Sequence, residues 1–133
     1  MSLAYEISPS GDQVRVVGKG RMTADDFVDV IEHVIADPRN RPDSSALVDL
    51  RNATYKADNL VDVICIAKAL ETFHFVLQNK IAIVAKQSLL FPAEVVATHV
   101  RKTAHVAIRV FVDLAAAEAF LQGKAGTDAS AYA

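Results

Sequence analysis

The stretch Ser45-Ala-Leu-Val-Asp-Leu-Arg-Asn-Ala-Thr-Tyr-Lys-Ala-Asp-Asn-Leu-Val-Asp-Val-Ile-Cys-Ile-Ala67 sets the reading of the whole chain. Ala46 to Leu50 is a short apolar run with Asp49 near its end, which predicts a central strand. Arg51 to Ala57 reads as a polar loop. Asp58 or Asn59 then caps a helix running to about His74. Leu60, Val63, Ile64, Ala67 and Leu70 make its core face. Val61, Cys65, Ile66 and Ala69 fall on the other side, so this helix is apolar on more than one face.

Working towards the N-terminus, Thr23 is a good N-cap. Asp25 and Asp26 follow in the first turn, where negative charge suits the helix dipole. Phe27, Val30, Ile31, Val34 and Ile35 form one helical stripe, and Asp37-Pro38 stops it. Asn40 to Ser45 is a polar loop. Further back, Ala4–Ile7 and Gln13–Gly18 flank the turn residues Ser8-Pro-Ser-Gly-Asp12. They predict an antiparallel hairpin, ended by Gly18 and Gly20.

Working towards the C-terminus, Lys80 to Ala85 is a strand. A helix follows with Pro92 in its first turn, where a missing N–H costs nothing. Val95, Val96, His99, Val100 and Thr103 share a face of that helix. Ala107 to Val112 is the last strand. Asp113 caps the last helix, whose core candidates are Leu114, Ala117, Phe120 and Leu121, and Gly123 ends it. The expected fold class is α/β, with a mixed, mostly parallel sheet of about five strands and four helices in the order β-β-α-β-α-β-α-β-α. One domain over residues 1–123 is expected, and 124–133 read as a frayed tail.

Composition narrows the function classes. A net charge of −2 makes no electrostatic case for nucleic acid or an anionic membrane. No apolar run approaches the roughly 20 residues of a membrane span. No secretory leader is legible at the N-terminus. Cys65 is the single cysteine, so an internal disulfide is excluded and a cytoplasmic location is the expectation. His33, His74, His99 and His105 lack metal-ligand spacing, and Gly18-Lys-Gly20 lacks the spacings of phosphate-binding loops. His99 has no readable nucleophile or carboxylate partner, and Cys65 has no neighbouring base. The expectation is a non-enzymatic domain without metal or cofactor.

The element order and the residues on it resemble a STAS-type domain, the fold of anti-sigma-factor antagonists, in its SpoIIAA-like branch. The resemblance spans about residues 4–122. Its marks are Gly20-Arg-Met-Thr23, Leu47-Val-Asp-Leu50, Lys80-Ile-Ala-Ile-Val-Ala85, and Val110-Phe-Val-Asp113 leading to Ala117-Glu-Ala-Phe-Leu121. It implies a regulatory domain that binds a protein partner through the helix after the Asp-Leu strand and the loop before it. Antagonists of this kind carry a phosphorylatable serine, typically in Asp-Ser-Ser-Gly, where this chain has Ala57-Asp58-Asn59-Leu60. No hydroxyl is present there, so the serine switch is not carried over. Asp58 reads as an N-cap or as a fixed charge in the serine's place. The branch also resembles lipid-binding domains of the Sec14 type, which implies an alternative role as carrier or sensor of a small apolar or amphipathic ligand.

Two candidate surfaces follow. Ligands of open parallel sheets sit beyond the carboxyl ends of the strands. Asp49, Arg51 and Asn52, then Lys86, Gln87 and Ser88, then Asp113 fall at those ends. Along the helix, Val61, Cys65 and Ala69 form an outer apolar strip, near Asp58 at the helix start, suited to a partner protein or a homodimer.

Overall fold

The computed structural model describes residues 2–41, 44–55, 64, 66–69, 80–104 and 107–122. Five strands form one sheet in the spatial order β1-β2-β3-β4-β5: β1 is Ser2–Ile7, β2 Gln13–Met22, β3 Ser45–Tyr55, β4 Ile81–Ala85 and β5 Ile108–Phe111. The β1–β2 pair is antiparallel and the other pairs are parallel, as the hairpin and the helical crossovers predict. The helices are α1 (Ala24–Ala36), a segment α2 whose described residues are 64 and 66–69, α3 (Leu90–Ala104) and α4 (Leu114–Leu121). A short 3-10 turn, Gln87–Leu89, leads into α3.

The local signals act as expected at three helix ends. Thr23 accepts the Asp26 N–H, and the Asp26 carboxylate accepts the Thr23 N–H, a reciprocal capping box. Asp37 stands at the C-cap of α1. Asp113 caps α4, accepting from the backbone of Ala115 and Ala116. The expected stripe of α1 is the buried one, with Phe27, Val30, Ile31 and Val34 facing the sheet. At the hairpin turn Gly11 has φ +77°, a conformation that costs other residues a steric clash.

The sheet carries a core on each face. On one side α1, α2 and α3 pack on Val14, Val16, Ala46, Val48, Leu50, Ile81, Ile83, Ile108 and Val110. On the other, α4 is the helix among the described residues that covers Leu47, Ala82, Val84 and Phe111, with Ala117 buried among them. The uninterrupted burial of β4 follows from helices on both its faces.

Three expectations are corrected. Gly18 and Gly20 do not end β2, which runs on to Met22. Arg51 does not begin a loop, because β3 continues to Tyr55 and pairs Asn52–Tyr55 with Lys19–Met22. The pairing slips between Val17/Asp49 and Lys19/Asn52, so Leu50 and Arg51 stand together against Gly18. This is a β-bulge, uncommon between parallel strands. Gly18 suits it because a Cβ there would lie only 3.1 Å from Leu50 Cδ2 and 3.3 Å from Leu3 Cδ2. Third, α2 matches the expectation only in part: Ala67 is buried as expected, but Ile66 is buried too, Ala69 is half-buried against the core, and Ile64 is exposed. The caps at Asp58 or Asn59, the helix end near His74, the stop at Gly123 and the tail lie outside the described residues.

Candidate functional site

Alternation along β3 places Leu47, Asp49 and Arg51 on the face that α4 covers, while Val48 and Leu50 fill the other core. Asp49 is only 7% exposed, so its charge needs a partner. Arg51 supplies it, being two residues on and therefore on the same face. Its Nε donates to Oδ1 at 2.9 Å and its Nη2 to Oδ2 at 2.8 Å, a bidentate pair. The Arg51 backbone N–H adds a bond to Oδ1 at 3.1 Å. These bonds hold the Asp49 carboxyl below the usual carboxylate range, with burial opposing them. The same pairing pushes Arg51 up.

A second ion pair lies on this face. Arg15 of β2 donates through Nη2 to Glu118 of α4 at 2.6 Å. The field of Arg15 also favours the charged form of Asp49, and Glu118 and Asp113 favour that of Arg51. Two acids and two arginines thus alternate beside α4, with Asp113 near them. The cluster is charge-balanced and mutually bonded. It leaves little net field for an incoming anion.

Of the predicted site residues, the structure brings Asp49 and Arg51 together. Asn52 is exposed beyond the bulge, opposite Lys19. Lys86 is half-buried at the end of β4, and among the described residues no hydrogen bond or ion pair ties it to Asp49 or Arg51. Gln87 and Ser88 are exposed in the 3-10 turn. Asp58, Val61 and Cys65 lie outside the described residues, and Ala69 packs towards the core rather than outwards. Arg15 and Glu118 were not singled out from the sequence. The alternation of Val14, Arg15 and Val16 signals that Arg15 faces away from the valines, but nothing local names a partner 103 residues away.

Two open grooves are lined by described residues. One, of about 410 Å³, runs along α3 past Phe91, Glu94, Val95, Thr98, His99 and Lys102. Phe91 at its head is 76% exposed. The other, of about 360 Å³, lies between β1 and α1 and is lined by Leu3, Ala4, Tyr5, Asp26, Asp29, Val30 and His33. Among the described residues no group of three or more His, Cys, Asp or Glu side chains is placed to hold a metal ion. No helix among them is long and apolar enough to cross a membrane.

No protein-family model matches the chain, and no curated protein matches it. Among solved structures it is similar to an uncharacterized protein of the DUF3478 family from Shewanella loihica PV-4, described as having a SpoIIAA-like fold. The two are 18% identical over 90% of this chain and 92% of that one, with a TM-score of 0.56. At that identity the likeness speaks for the fold alone. The mixed five-stranded sheet with helices on both faces is a SpoIIAA-like fold, as the resemblance in the sequence implied.

Proposed function

We propose that this chain is a non-enzymatic protein-interaction domain that works by association, either with a partner protein or with a second copy of itself. The observation that carries this reading is Phe91. A phenylalanine 76% exposed at the head of a groove that Val95 also lines gains by being covered, and aromatic side chains are enriched among the anchors of protein interfaces. Ile64, also exposed, adds apolar surface from α2. The strand-end charges favour the same reading, since Asp49 and Arg51 neutralise each other and Asp113 is engaged at the start of α4. The carrier alternative has less support. The layer between sheet and helices is filled by Val14, Val34, Val100 and Ile108, each 0% exposed.

Sedimentation equilibrium over a range of concentrations tests the self-association form, with Phe91→Glu as the comparison. Wild type is expected to associate, and Phe91→Glu to shift it towards monomer while its circular dichroism stays unchanged. Equal association of the two proteins removes Phe91 from the interface, and a monomeric wild type at every concentration removes the homodimer.

A further inference from the structure

We infer that the groove between β1 and α1 binds an extended, basic segment of a partner protein, which adds to the sheet as a sixth strand beside β1. Neither Phe91 nor α3 lines this groove, so it is a separate surface from the one proposed above.

Among the described residues β1 is an edge strand, bonded to β2 on one side only. The Ser8 N–H reaches Gln13 O at 2.9 Å, which fixes the phase of the antiparallel ladder. Bonded pairs alternate with unbonded ones, so Glu6/Arg15 and Ala4/Val17 bond across the pair. The N–H and C=O groups of Leu3, Tyr5 and Ile7 therefore point outwards. Among the described residues no backbone hydrogen bond from a turn, loop or cap reaches Leu3 or Tyr5.

Natural edges are normally blunted by proline, charged side chains and lysine above all, a bulge or shortness. The six residues of β1 contain no proline or lysine, their one charge is the acidic Glu6, which a basic strand would meet favourably, and their pairing with β2 is regular from Ser2 to Ile7. The opposite edge differs: β5 has four residues, carries Arg109 and has α3 and α4 packed near it. An open edge running beside a helix is the geometry of strand addition, in which main-chain bonds supply affinity and side pockets supply selectivity.

The lining selects the occupant. Leu3, Tyr5 and Val30 give an apolar floor, and Asp26, Asp29 and His33 rim it from successive turns of α1. Asp26 has one oxygen engaged by the Thr23 N–H. No described residue bonds the Asp29 carboxylate, which is exposed. His33 is tied through Nδ1 to the Asp29 carbonyl at 2.7 Å, so the ring donates there and keeps Nε2 for the groove. A strand with apolar residues towards the floor and lysine or arginine towards the rim is complementary. A second copy of β1 is not, because two-fold pairing would bring two acidic rims together.

Fluorescence anisotropy with a labelled hexapeptide of alternating valine and lysine tests this. Binding is expected, with slowed amide exchange at Leu3 and Tyr5. Three changes should each weaken it: glutamate in place of the peptide's lysines and N-methylation of the peptide's alternate backbone nitrogens by roughly tenfold or more, and Asp29→Lys in the protein, at an exposed position, by about two- to fivefold. Asp29 is exposed, so that variant should fold, as circular dichroism will check. Equal binding of the N-methylated peptide would reduce the effect to charge alone and overturn strand addition. Equal binding of the glutamate peptide would overturn the basic partner. Absence of binding, or a dimer with Leu3 and Tyr5 amides already protected, would overturn the proposal outright.

Discussion

Arg51 folds back along its own strand to grip Asp49, with both oxygens of the carboxylate engaged at 2.9 and 2.8 Å. The pair occupies the place where ligands of open parallel sheets usually sit. It converts a nominal ligand-facing set of polar residues into an internal clasp next to the bulge. Its partners are asymmetric: the Asp49 side chain is 10% exposed and that of Arg51 43%. Loss of the acid therefore leaves an arginine that water can solvate, whereas loss of the arginine leaves a carboxylate that water barely reaches.

This asymmetry makes an acid-sensitivity prediction. The folded pKa of Asp49 is depressed below its ordinary value of 3.8, chiefly by Arg51. Its contribution to stability is then complete above that ordinary value and is lost as pH falls through the folded one. Asp12 and Asp37 are depressed as well, Asp12 by the hydroxyls of Ser10 and Ser8 and Asp37 by Arg39, so they add to the same trend. Asp49→Asn should cost about 1–3 kcal/mol at neutral pH, towards the lower figure given the exposure of Arg51. Urea unfolding from neutral pH down to about pH 2 should show a shallower acid slope in the variant than in wild type. Parallel slopes would show that the clasp does not form.

Gly11 gives a second prediction. Its φ of +77° is unfavourable for residues with a Cβ, and a Cβ built there would lie 2.6 Å from the carbonyl oxygen of Arg39. That oxygen belongs to the segment after α1, which the Arg41 N–H also ties to Gly11 O at 3.3 Å. Gly11→Ala should therefore destabilise by more than about 1 kcal/mol, combining backbone strain with a displaced contact. Thermal unfolding measures it. An unchanged or raised melting temperature would mean that the turn relaxes freely.

The parts of this fold that local chemistry dictates were legible in the sequence. The stripe from Phe27 to Val34, the cap at Thr23, the cap at Asp113 and the apolar run Ile81–Ala85 each depend on neighbours within a few residues. The misread parts depend on distant partners. Gly18 permits either a strand end or a bulge, and the choice is made by β3, which places Leu50 and Arg51 against it. Likewise Arg15 and Glu118 meet because β2 and α4 are brought together by the sheet. The candidate site was half legible. Asp49 and Arg51 were grouped at the strand end, but with Arg51 read as loop the sequence did not show that they share a face or that each is the other's ligand.

The orientation of α2 supplies the last prediction. An apolar helix with several competing stripes does not declare its buried side, and the spacing assigned Ile64 to the core and Ile66 to the surface. The structure reverses them: Ile66 is 8% exposed and belongs to the core cluster, while Ile64 is 37% exposed. A glutamate at the two positions should separate these arrangements cleanly. Ile66→Glu forces a carboxylate among apolar side chains and should cost about 3 kcal/mol or more, enough to lower the melting temperature substantially. Ile64→Glu meets water and should cost no more than about 1 kcal/mol. If association involves the α2 surface, the same Ile64→Glu protein should also self-associate less than wild type while remaining folded. Thermal melts of the two variants side by side decide the orientation. A larger loss at Ile64 than at Ile66 would restore the arrangement read from the spacing and turn the outer strip of α2 back towards solvent.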